Sequence, residues 1–284
     1  MKRFLCLMLV IVCAALPVLA LTSCGTPDAA GDLDRVKSAG KIVVGMECNY
    51  APYNWAQATT SEYASVKLSN GMYADGYDVQ IAKRIAAGLG VELEIRATDW
   101  NGLIPALTSG EVDFIIAGMS PTAERKLSID FTDTYYNSHL VMVVRKDSAY
   151  AAATTLADFS GAKITGQINT FHYKVIDQID GVSKQPELED FAALIQSLDS
   201  GSIDGYVCER PGAISAVTSH PEFTYVEFAE GHGFVCDPEE SSIAVGVRKG
   251  SSLTAEVNRI LAGISDDERE EMMSAAIARQ PSAE

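Results

Sequence analysis

Leu103-Ile104-Pro105-Ala106-Leu107-Thr108-Ser109-Gly110-Glu111-Val112-Asp113 returns ninety-one positions later as Leu194-Ile195-Gln196-Ser197-Leu198-Asp199-Ser200-Gly201-Ser202-Ile203-Asp204. Each copy spaces its leucines along a helix face, then reaches a Ser-Gly able to close the helix in a left-handed cap. Each then passes through Asp into an apolar stretch suited to a buried strand. Strands are expected over 113–117 and 204–208. Two unrelated helix-glycine-strand units would look the same, and that reading still leaves both halves α/β. Working outward, strands are expected at 41–46 and 92–98 on either side of an amphipathic helix. That helix has Val79, Ala82, Ile85 and Leu89 on one face, Asp78 as its cap and Gly90 at its end. A second set has strands at 140–144, 162–167 and 243–247, helices at 171–179 and 191–198, and closing helices at 252–264 and 266–278. No long linker interrupts the chain after residue 32, so two lobes would be joined by short crossings.

Met1, Lys2 and Arg3 precede an unbroken apolar run from Phe4 to Leu21, which ends in Leu21-Thr22-Ser23-Cys24. A basic start, an apolar stretch and small residues leading into a cysteine are what export with lipid attachment to a new N-terminal cysteine requires. Residues 1–23 are therefore expected to be a lipoprotein signal peptide and Cys24 the lipidated residue. Residues 24–32, small and polar around Pro27, would tether the protein to the outer face of the cell membrane. The competing reading is an uncleaved anchor helix.

The 284-residue chain carries a formal charge of −16, which becomes −18 once Lys2 and Arg3 leave. That sign argues against a nucleic-acid partner and suits a surface protein that must stay dispersed. About 260 residues remain after processing, enough for one large domain or two of ordinary size. Of six cysteines, Cys6 and Cys13 leave with the signal and Cys24 takes lipid. Cys48, Cys208 and Cys236 stay, with no CxxC or Cys/His spacing, so neither a metal site nor a cofactor is expected.

Ser120-Pro121 followed by Arg125 is the first constellation with chemical content. Ser and then Pro fit the cap and first position of a helix. Cations at Arg125 and Lys126 would oppose the dipole of that helix, a placement that makes sense if an anion such as a carboxylate binds nearby. A solvated arginine balanced by Glu124 is the plainer reading.

Four blocks, read in order, carry a resemblance. They are Gly76-Tyr77-Asp78-Val79-Gln80-Ile81-Ala82, Trp100-Asn101-Gly102-Leu103-Ile104-Pro105-Ala106-Leu107, Ile116-Ala117-Gly118-Met119-Ser120-Pro121-Thr122-Ala123-Glu124-Arg125 and Ile129-Asp130-Phe131-Thr132. The chain resembles the polar amino-acid receptors of ABC importers. These are type II periplasmic binding proteins, in the branch that includes the lysine/arginine/ornithine, histidine and glutamine receptors. The resemblance implies an α/β fold of two lobes joined by two crossing strands, with the ligand cleft between them. The crossings would fall near 136–138 and 239–242, giving lobe one residues 33–137 and 241–284 and lobe two residues 138–240. It also implies a monomer that passes a free amino acid to the membrane subunits of an importer.

Carried over by the same resemblance, Arg125 forks onto the ligand α-carboxylate, helped by Ser120 and the Gly118 backbone. Thr170 supplies a lobe-two hydroxyl to that carboxylate and Glu209 receives the α-ammonium. Two departures are visible: Ile168-Asn169-Thr170 replaces a glycine-containing loop, and Glu209 replaces the commoner Asp. Glu47, Tyr50, Trp55 and Trp100 would form the side-chain pocket, Tyr50 and Trp100 as the walls and Glu47 as the acid for the far end of a cationic ligand. Ordinary core aromatics and a solvated Glu47 are the alternative. L-arginine is the first expected ligand, then lysine or histidine, with glutamine left open. Cys208 and Cys236 both fall in lobe two, and a disulfide between them is left open. Dehydratases acting on prephenate or arogenate share the arginine, but no acid/base pair stands out beyond Glu47 and Glu209, so no enzyme is expected. A sensor input domain shares the fold and is expected to continue into a transmembrane and signalling segment.

Overall fold

The computed structural model describes residues 29–281. The expected signal peptide, Cys24 and the tether up to residue 28 lie outside the described residues. From Ala29 the expected tether has already ended: a 3-10 turn leads into a helix, Asp32–Ala39, whose first residue is fully buried against Arg248. Among the described residues no helix is long and apolar enough to cross a membrane.

Two five-stranded sheets carry the fold. The first has the spatial order Glu92–Ala97, Lys41–Met46, Phe114–Ile115, Ser242–Val247, Asp130–Asn137. Its first three strands are parallel, and Ser242–Val247 runs antiparallel to both neighbours. The second has the order Ser183–Lys184, Lys163–Thr165, Gly205–Glu209, Leu140–Arg145, Phe223–Val226. Again the first three are parallel and the fourth, Leu140–Arg145, is antiparallel to both neighbours. In each sheet that fourth strand is the one arriving from the other sheet, so the chain crosses twice between two copies of one topology. The crossings touch, with the Ser138 N–H donating to the Ser241 carbonyl at 3.1 Å.

The repeated sequence occupies the same place in both copies. Helices Trp100–Ser109 and Phe191–Asp199 run into Gly110 and Gly201, whose φ angles of 80° and 72° lie in the left-handed region where a side chain is strained. The two aspartates do one job. The Asp113 N–H donates to Val43 O at 2.7 Å while its carboxylate accepts the Val43 N–H at 2.9 Å. The Asp204 N–H donates to Lys163 O at 2.8 Å and its carboxylate accepts the Lys163 N–H at 2.8 Å. Each thereby pins the second strand of its sheet to the third.

Helix Tyr77–Leu89 buries Val79, Ala82, Ile85 and Leu89, as the period predicts. Its cap is not Asp78 but Gly76, at φ 127°, where an added Cβ would sit 2.2 Å from Tyr53 O. Asp78 lies one residue inside the helix, fully buried, and accepts from Tyr135 Oη at 2.7 Å and Asn54 Nδ2 at 2.8 Å. The helix expected after Ser120 does not form. The chain makes only a 3-10 turn, Arg125–Leu127, because it enters the strand Asp130–Asn137 three residues later. Helix Arg210–Ser219 and a small antiparallel sheet, ordered Asn49–Tyr50, Asn54–Gln57, Tyr73–Asp75, Val66–Lys67, were not expected. Small residues on every side, with Pro211 and Gly212 near its start, give that helix no apolar stripe to read. Cys48, Cys208 and Cys236 are free thiols, so the pairing considered for the last two is not made.

Candidate functional site

Carboxyl ends of parallel strands from both sheets converge on one cleft, the place where open α/β sheets present polar groups without breaking their ladders. Strand Lys41–Met46 delivers Glu47, Lys163–Thr165 leads to Gln167, and Gly205–Glu209 ends on Glu209 itself. An inner cavity with only about 10 Å³ of free space is lined by Tyr50, Trp100, Gly118, Ser120, Arg125, Gln167, Thr170, Phe171, His172 and Glu209. A groove of about 360 Å³ adjoins it and shares Trp100, Arg125, Thr170 and Phe171.

Arg125 stands at the junction. Its guanidinium donates to Ser120 O at 2.9 Å and, from the other sheet, to Asn169 O at 3.0 Å, and lies 4.9 Å from the centroid of the Trp100 ring. Among the described residues no carboxylate comes within ion-pair distance of it, since Glu124 turns away to Lys174. Desolvation pushes its pKa down to about 10, with the charges of Glu124, Glu209 and Glu240 only partly opposing that. A cation held by carbonyl oxygens and one aromatic face still lacks an anion. Asn169 reaches it at φ 57°, the left-handed conformation that a glycine would take and that Asn tolerates.

Glu209 is the opposite pole and is 1 % exposed. One carboxylate oxygen accepts from Tyr50 Oη at 2.5 Å; the other lies 2.9 Å from His172 Nε2. The imidazole stands off the line of a good N–H···O bond, so the second contact is one of charge more than of hydrogen bonding. Burial works to raise the Glu209 pKa, but the charge of His172 and the two contacts prevail and hold it below the usual carboxylate range.

Glu47 is held differently. Gln167 Nε2 donates to its Oε1 at 3.1 Å, while Oε2 is shielded from solvent without a partner. Burial, reinforced by the charges of Asp190, Asp99 and Asp78, pushes its pKa up to about 8. This is an acid waiting for a cation or holding a proton.

The remaining expected residues divide. Trp100 and Tyr50 line the cavity, but both faces of Tyr50 are engaged, by Phe191 at 4.0 Å and Tyr53 at 4.9 Å between ring centroids. Trp100 stacks on Arg125 instead of facing Tyr50 across an open slot. Ser120 is buried in the wall and serves Arg125 through its carbonyl. Gly118 lines the cavity with its backbone hydrogen-bonded to Asp78. Thr170 is in place, but its hydroxyl proton goes to Gln167 O at 2.7 Å and not into the cavity. Trp55 is not at the cavity. It lies in the small antiparallel sheet, 4 % exposed, donating to Gln57 and packed 5.8 Å from the Arg279 guanidinium. Strand alternation explains this, because Trp55 shares the register of Asp75, the carboxylate that Arg279 grips. Gln167, His172 and Asp78 were missed.

The chain matches the model of the bacterial extracellular solute-binding proteins, family 3, over residues 42–275. It is similar to the arginine-binding extracellular protein ArtP of Bacillus subtilis (strain 168), 29 % identical over 94 % of each chain. It is also similar to a probable histidine-binding protein of Campylobacter jejuni, 30 % identical over 82 % of this chain and 85 % of that one. Among solved structures it shares the fold of an amino acid ABC transporter substrate-binding protein from Streptococcus pneumoniae. The TM-score is 0.75 at 23 % identity, covering 87 % of this chain and 98 % of that one.

Proposed function

Because the chain belongs to the bacterial extracellular solute-binding proteins, family 3, and is an amino-acid substrate-binding protein of the ABC-transporter kind, we propose that its own ligand is a cationic amino acid, L-arginine first. The observation that carries this is the set of charged groups in one cleft. Among the described residues Arg125 lacks an anion, Glu209 lines the same inner cavity, and Glu47, held by the cavity-lining Gln167, has its Oε2 buried without a partner. A zwitterion with a cationic tail answers all three: carboxylate to Arg125, α-ammonium to Glu209, guanidinium to Glu47. In this reading lobe one comprises residues 33–137 and 241–284 and lobe two residues 138–240, the lobes close on the ligand, and a monomer lipidated at Cys24 presents it to an importer.

Glutamine is the second reading, favoured by one observation. With a pKa of about 8, Glu47 holds its proton at neutral pH and can donate to an amide oxygen. Isothermal titration against the twenty amino acids decides. L-arginine should bind tightest, and a preference for glutamine or an acidic amino acid would overturn the cationic reading. Intact-mass analysis of the membrane-bound protein tests the anchor, which requires a lipidated N-terminal Cys24.

A further inference from the structure

Resting on the reading that Glu209 receives the ligand's α-ammonium, we infer that His172 is a proton-linked positioning residue whose imidazolium gives up its proton when an amino acid is captured. Its Nε2 lies 2.9 Å from Glu209 Oε1, and the histidine is 5 % exposed, wedged beside Phe171 at 4.4 Å and Phe191 at 6.5 Å between ring centroids. Among the described residues neither ring nitrogen has a well-directed hydrogen-bond partner, so the imidazole is placed by packing, with Nε2 against Glu209. A carboxylate that deep needs a positive neighbour, and His172 is the one in contact with it.

An arriving α-ammonium brings a second positive charge to the same carboxylate. Two cations and one anion in so dry a place leave a net charge whose cost the imidazole can avoid. Imidazole is the kind of side chain that changes charge near neutral pH, so release of one proton to solvent is the easiest relief. The N–H bond of the imidazolium breaks, the electron pair stays on the ring nitrogen, and the α-ammonium takes over as partner of Glu209.

The other groups facing this pair do not supply that relief. Tyr50, Tyr206 and Cys208 stay neutral because burial raises each well above its ordinary value. Arg125 keeps its charge for the ligand carboxylate, and Lys174, on the same helix as His172, points outward to Glu124. Asp78 feels Glu209 and burial lifts it to about 6, and Glu47, bonded to the cavity-lining Gln167, lies near 8, so both add to any pH profile. The readout must therefore belong to His172 itself.

Nitrogen-15 NMR of histidine-labelled protein at pH 6.5, with the His172 signal assigned by its loss in His172→Gln, reads the imidazole directly. Adding saturating L-arginine, and separately L-glutamine, whose neutral side chain makes no demand on Glu47 ionisation, should move His172 from the imidazolium to the neutral shift. Titration calorimetry in two buffers of different ionisation heat should show up to one proton released from this site. In His172→Gln that release disappears, and the pH slope of log Kd, at most about tenfold per unit for one proton, flattens accordingly. An imidazole signal unmoved by either ligand, or a variant with the parent's slope, overturns the inference while leaving the receptor reading standing. Failure of the parent to bind any amino acid overturns both. Should the variant misfold, the same signal assigned by through-bond correlation in the parent still decides.

Discussion

Arg125 and Glu47 present opposite problems, and their variants should behave oppositely. Arg125→Ala leaves the ligand carboxylate desolvated without its partner, a loss of about 3 to 5 kcal/mol, or two to three orders of magnitude in affinity for L-arginine. Titration that finds near-parental affinity places the anion site elsewhere. Glu47 is strained by its own charge: its folded pKa is raised to about 8 from an ordinary value near 4.5. The fold thus binds more protons here than the unfolded chain does, so this residue costs stability increasingly as pH rises from the lower value through the upper one. Glu47→Gln should accordingly raise the melting temperature at pH 8.5 but not at pH 4.5, by the equivalent of about 1 to 3 kcal/mol at the higher pH. The same variant should lose about ten- to hundredfold in arginine affinity and little in glutamine affinity. A variant less stable than the parent at pH 8.5 would contradict the sign. Arg125 and Glu47 drew notice by their place at a turn and a strand end, whereas their roles and that of Glu209 came from the family resemblance. Trp55 was misplaced because its side-chain direction depends on a strand too short to show alternation. Gln167 was legible in principle: it stands four residues after Lys163, as Glu47 stands four after Val43, and these are the residues that Asp204 and Asp113 pin. His172, inside the apolar Phe171-His172-Tyr173-Lys174-Val175, carried no signal of the carboxylate it would meet.

At the scale of elements, the repeat was the most informative feature because helix, left-handed glycine and aspartate obey local rules and recur in both sheets. Its consequence is quantitative. Asp113 is nearly buried, pairs with Arg35 at 2.5 Å and lies 3.7 Å from Arg248, whereas among the described residues Asp204 has only its strand contact to Lys163. Asp204→Ala should cost about 1 kcal/mol, the net worth of one hydrogen bond, while Asp113→Ala, which also takes the charged partner from Arg35 and leaves buried Arg248 to Asp32 alone, should cost about 1.5 to 3 kcal/mol. Urea melts of the two variants compare them directly, and equal losses would show that the aspartates differ in sequence context alone. The small sheet and helix Arg210–Ser219 went unread for one cause: they are shaped by what packs on them. The two-residue strands exist only through pairing, and helix Arg210–Ser219 presents no stripe. The abortive helix after Ser120 shows the converse, a good cap signal overridden by the nearby strand that follows.

For the whole molecule, the balance between the lobes decides how capture works. The cleft is spanned by Tyr50 to Glu209 at 2.5 Å, Gln167 to Glu47 at 3.1 Å, Arg125 to Asn169 O at 3.0 Å, Asn169 to Asn101 at 2.7 Å and Asn49 to Asp190 at 3.1 Å. On the rim Lys174 pairs with Glu124 at 2.5 Å, with both side chains largely exposed. An exposed pair of that kind contributes about 0 to 1 kcal/mol, so the rim cannot hold the lobes together alone. Closing also strips water from Arg125, Glu209 and Glu47, at a cost of several kcal/mol that only an oppositely charged ligand offsets. Lobes without ligand should therefore spend most of their time apart, and ligand should draw them together. Small-angle scattering would read this as a radius of gyration that falls toward ~18 Å, the value for a compact chain of this length, as L-arginine is added. Lys174→Ala should change arginine affinity by less than about fivefold, matching the rim's small share. A radius indifferent to ligand, or a large loss from Lys174→Ala, would mean that closure is driven from the rim and not by the charges the cavity leaves unmet.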